Sequence, residues 1–104
     1  MSKASLTEAR VRILHDTQML RSQPMDQLRS FVETPLKEQL QIQRKPIEMT
    51  TWAQEHGEDK LAVIVEARRK RFLGWSQVTA DGFYKTSDGT VTDFQEKDYW
   101  DHGY

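Results

Sequence analysis

At 104 residues the chain has the size of one ordinary domain, enough for a modest core but not for a core plus a deep, well-walled cleft. A net charge of only −1, with four Phe, three Trp and three Tyr to pack, sets it apart from disordered chains, which join low hydrophobicity to a large net charge. No Cys is present, which removes disulfides, thiolate nucleophiles and zinc–thiolate centres, and is compatible with a reducing compartment.

The first residues, Met1-Ser2-Lys3-Ala4-Ser5, lead into a charged segment, so no apolar leader peptide is expected. Ser5-Leu6-Thr7-Glu8 matches a capping box, in which the Ser hydroxyl and the Glu carboxylate each satisfy a free backbone N–H. Leu6, Ala9, Ile13, Thr17 and Leu20 follow at helical spacing, and Ser22-Gln23-Pro24 ends that helix. Pro24 suits the first position of a second helix with an apolar stripe of Met25, Leu28, Val32 and Leu36. Thr34-Pro35 breaks the stripe and predicts a new short helix to about residue 40.

Residues 41–50 are ambiguous: Leu40, Ile42 and Arg44 alternate as in a strand, while Pro46 limits any strand to a short edge. Thr51-Trp52-Ala53-Gln54 is a second capping-box match, and Gly57 could close the short helix it starts. The helical half is thus expected to span about 5–56.

Beyond it the signals are those of strands. Leu61-Ala62-Val63-Ile64-Val65 is the longest apolar run, far short of the ~20 residues that cross a bilayer. Residues 59–73 could also be read as a helix, with acids first, cations last and Gly74 beyond. The alternating Leu61, Val63, Val65, Ala67 face favours a strand. Asp81-Gly82 and Asp88-Gly89 are both hairpin-turn dipeptides, and they predict strands over 72–79, 83–86 and 90–94. The expected fold is α+β: N-terminal helices packed on a C-terminal antiparallel meander of three to four strands over 60–94. Its buried face should hold Leu61, Val63, Val65, Trp75, Val78, Phe83 and Val91. Residues 95–104 form an acidic, aromatic tail.

Charge is unevenly distributed. Residues 60–72 hold five Lys/Arg against one acid, and residues 73–104 hold two against six. The run Arg68-Arg69-Lys70-Arg71 stands beside Phe72 and Trp75, a combination that suits phosphates and stacked bases. The opposing reading is a solvated hairpin tip, because nucleic-acid-binding domains are usually basic overall and this chain is not. In the tail, Tyr99 and Trp100 among acids suit a protein contact, since Tyr and Trp are enriched at binding hot spots. Asp98, Asp101 and His102 match no metal-ligand spacing, and His15 and His56 read as a surface residue and a helix-end polar group. The methionines at 19, 25 and 49 read as core filler.

Nucleophile elbows, phosphate loops and dinucleotide fingerprints are absent from the sequence. These features lead to the expectation of a small, cytoplasmic, non-enzymatic interaction protein without a cofactor. It would bind a protein partner through Arg68, Arg69, Lys70, Arg71, Trp75, Tyr99 and Trp100. Nucleic acid is the alternative ligand, and a homodimer stays open because an uncovered sheet edge must be managed.

Overall fold

The computed structural model describes residues 3–42, 44–71, 74–95 and 97–98, with side chains over 7–42, 44–69, 79–95 and 97–98. Two helices, α1 (Lys3–Arg21) and α2 (Met25–Glu33), lie on a five-stranded antiparallel sheet. The strands are β1 (Leu36–Ile42), β2 (Lys45–Glu55), β3 (Lys60–Arg71), β4 (Gly74–Thr86) and β5 (Val91–Asp93), ordered in space as in sequence. The α+β architecture, helices first and a C-terminal meander after, is as the sequence predicts.

Alternation along the strands decides which side chains meet the helices. Leu61, Val63, Val65 and Ala67 of β3 face them, with Ile47, Met49 and Ala53 of β2 and Phe83 of β4. Ala9 and Ile13 of α1 close one half of this core and Leu28 of α2 closes the other. Of the expected buried face, Leu61, Val63, Val65 and Phe83 are fully buried and Val91 half-buried. The side chains of Trp75 and Val78 lie outside the described residues.

Several local expectations are corrected. Residues 36–55 are a β-hairpin rather than the end of a helical half, and neither Thr34 nor Thr51 starts a helix. Ile47, Met49, Thr51 and Ala53 are buried on one side while Glu48, Thr50, Trp52 and Gln54 take the other, a period of two. Pro46 is tolerated because it sits at the strand's start, one residue before pairing with β3 begins at Ile47. Gly57 (φ 86°) serves the β2–β3 turn, closed by the His56 N–H bonding the Lys60 carbonyl at 2.9 Å, and caps no helix. Ser5 lies inside α1, which starts at Lys3, and Pro24 precedes α2 as its cap residue. Asp81-Gly82 is no turn: β4 runs through it unbroken. Asp88-Gly89 is a turn, with Gly89 at φ 93°.

Polar groups fix α1 to β4. The Lys85 ammonium, almost wholly buried, donates to the carbonyls of Arg21 (2.8 Å) and Gln23 (2.7 Å), supplying partners that a helix C-terminus otherwise lacks. Thr17 donates to Asp81 at 2.8 Å, and Arg21 lies 3.8 Å from Asp81, pairs with Asp93 and sits over the Phe83 ring. Among the described residues, no helix is long and apolar enough to cross a membrane.

Candidate partner-binding site

The basic run occupies the far end of the β3–β4 hairpin. Pairing with β2 stops at Arg69, while β3 and β4 continue through Arg69↔Ser76, Lys70↔Trp75 and Arg71↔Gly74. Three cationic residues and Trp75 therefore share a projecting two-stranded tip, beyond a register shift at Ala67/Arg68. Arg68 is committed elsewhere, its guanidinium pairing with the buried Glu66 carboxylate. Arg69 is half-buried; the side chains of Lys70, Arg71 and Trp75, and the whole of Tyr99 and Trp100, lie outside the described residues.

The sheet face opposite the helices divides in two. Over β3 and β4 it is covered by chain: Ala62, Ile64, Tyr84 and Phe94 form a small core with Trp52 beside it. Tyr84 donates to Asp98 at 2.9 Å, and the other Asp98 oxygen accepts from the Gln95 N–H at 2.7 Å. That carboxylate latches the segment after β5 onto the sheet. Lys60 and His56 complete the setting of Tyr84, at 4.6 and 5.0 Å from its ring centre. Over β1 and β2 the same face is a shallow concavity containing Lys37, Glu48, Thr50, Trp52 and the Glu66–Arg68 pair.

A second concavity lies on the helix-bearing side, at the β1 edge. It holds about 230 Å³ between α1, α2 and the first two strands. Met19, Leu20, Phe31, Leu36 and Met49 make it apolar, while His15, Asp16, Glu38 and Thr51 supply its polar lining. Met19 and Leu36 are exposed there, at 56% and 45%. Arg12 ties the rim together, 3.3 Å from Asp16 and 3.4 Å from Glu38. Glu8 stands one helical turn before Arg12, on the same stretch of surface.

Sequence reasoning missed this place. Met19 is not core filler, and Leu36, placed on the stripe of α2, belongs to an edge strand. The available signal was the exposed apolar surplus of α1, where Val11, Leu14 and Met19 lie off the Ala9, Ile13, Thr17 stripe. The chain matches no protein-family model, no curated protein and no solved structure.

Proposed function

We propose that this chain acts without catalysis, by binding a protein partner at the β1 side of its sheet. One observation carries the reading: β1 is an edge strand seven residues long, and the apolar cavity opens beside it. An edge strand offers unpaired N–H and C=O groups to another chain, and natural proteins usually blunt such edges. Here Lys37 stands on the edge strand with its side chain on the face away from the helices, whereas Leu36 and the cavity stay exposed on the helix side. The two histidines among the described residues lie apart, on opposite faces of the sheet. His15 lies at the cavity rim, and His56 stacks near Tyr84 on the other face.

A second reading, nucleic-acid binding, rests on the β3–β4 tip, where Arg69, Lys70 and Arg71 accompany Trp75. With Arg68 held by Glu66, three cations remain, and three phosphate contacts imply a log–log salt slope of about −2 on a single strand.

The test immobilises the full chain and captures proteins from nuclease-treated extract of the source cells, beside titrations with single- and double-stranded oligonucleotides. The proposal expects a protein retained after nuclease and lost when the exposed Leu36 is changed, Leu36→Asp. Tight oligonucleotide binding at physiological salt, with no retained protein, reverses the ranking.

A further inference from the structure

We infer that β1 accepts an extended segment of a partner protein that carries a large apolar side chain and, two residues along, a Lys or Arg. The inference deepens the protein-binding reading and rests on it. A strand added to β1 sends alternate side chains to the helix-bearing face, and directly opposite residues share a face with Cβ atoms about 4.5–5.5 Å apart. On β1 that face belongs to Leu36, Glu38, Leu40 and Ile42, paired with Thr51, Met49, Ile47 and Lys45. The incoming residue opposite Leu36 stands at the cavity. The next one on that face stands opposite Glu38.

The chemistry of the two positions differs. The cavity holds about 230 Å³ lined by Met19, Leu20, Phe31, Leu36 and Met49. A cavity of about 150 Å³ suffices for benzene, so a Phe, Leu or Met side chain fits. At the rim, Asp16 and Glu38 share one guanidinium, Arg12, leaving a surplus of negative charge for an incoming cation.

The same charges argue against a second copy as the occupant. A second β1 added across a two-fold axis would bring Leu36, Glu38, Leu40 and Ile42 to this face, which sets a second Glu38, already paired with its own Arg12, at an acidic rim and supplies no unpaired strand cation opposite it.

The experiment selects peptides from a phage-displayed random library against the full chain, then measures each synthetic, fluorescein-labelled peptide by anisotropy. The expected peptides share the apolar–any–basic pattern. Three changes should each weaken them about tenfold or more, the scale of burying one large apolar side chain. One is N-methylation of alternate peptide amides; one is Met19→Trp, which fills the cavity; the third is replacing the peptide's apolar residue by Ala. Glu38→Lys should shift selection from basic to acidic residues. Circular dichroism and melting curves confirm that both variants fold.

Peptides that bind regardless of Met19→Trp and Glu38→Lys but are lost with Arg69→Ala or Trp75→Ala overturn the inference while leaving a protein-binding function standing. A concentration-dependent dimer abolished by Met19→Trp overturns it too, making a second copy the occupant. An absence of selected peptides, together with tight oligonucleotide binding, overturns both readings.

Discussion

The ring of Phe94 lies directly over Gly82, so close that a Cβ at position 82 would stand 2.7 and 2.8 Å from two ring carbons. The Phe94 N–H also bonds the Gly82 carbonyl at 3.1 Å. Gly82 is thus a seat for an aromatic ring within a continuous strand. This close approach brings Phe94 against Tyr84, ring centres 4.6 Å apart, and so fixes the segment that covers β3 and β4.

Gly82→Ala should therefore destabilise the fold by about 1–3 kcal/mol, the usual cost of overpacking. Urea denaturation checks it. Phe94→Leu should cost stability alone but recover part of the Gly82→Ala loss when the two are combined, a coupling that a double-mutant cycle reads directly.

Lys85→Met should cost about 2–3 kcal/mol although the apolar stem is kept. The change leaves the Arg21 and Gln23 carbonyls without the charged donor that satisfies them. Thermal melting measures the loss, and amide exchange should show it concentrated in the last turn of α1. Equal stability of the two proteins would refute the capping role.

Arg44, just before Lys45 at the start of β2, holds φ 66°. That left-handed geometry costs a side-chain-bearing residue about 1–2 kcal/mol, and a Gly there gives back about 0.5–1 in chain entropy. Arg44→Gly should raise stability by roughly 0.5–1 kcal/mol, seen as a higher urea midpoint at unchanged slope.

The Asp88 carboxylate accepts from the Thr86 hydroxyl and from the Thr90 N–H (2.9 Å). These bonds, the Thr86 one foremost, lower its pKa from 3.8 to about 2. A depressed carboxylate stabilises the fold above its unfolded pKa, and the contribution is lost as pH falls from about 4 through about 2. Asp88→Asn should flatten the stability-versus-pH curve in that window and leave its shape unchanged above it.

The sequence made the helix-to-sheet order legible because each signal was strong where it needed no distant partner. Pro24 marks the boundary between two helices, β3 contains the unbroken apolar run from Leu61 to Val65, and Asp88-Gly89 makes a turn from its own side-chain chemistry. The failures have a common cause. Asp81-Gly82 carries the same turn dipeptide, but Asp81 is taken by Thr17 and Arg21, and Gly82 by Phe94, all distant in sequence. Thr51-Trp52-Ala53-Gln54 imitates a helix cap because a hydroxyl residue happens to sit on the buried face of β2. The cavity was illegible for the same reason: α1, α2 and β1 supply its walls only after the hairpin of 36–55 has formed. Of the residues named from sequence as partner contacts, Arg68 pairs with Glu66, and Arg69, Lys70, Arg71 and Trp75 stand at the end of the β3–β4 pairing.

The central claim, that a partner strand adds to β1, is tested most directly by residue-resolved amide hydrogen exchange over residues 36–42. In the free chain the amides turned toward β2 should exchange slowly and the alternate ones, turned outward, should exchange fast. Saturation with a selected peptide should slow the outward set and leave residues 68–76 unchanged. Outward amides that stay fast in the complex, with protection appearing at 68–76 instead, would contradict the account.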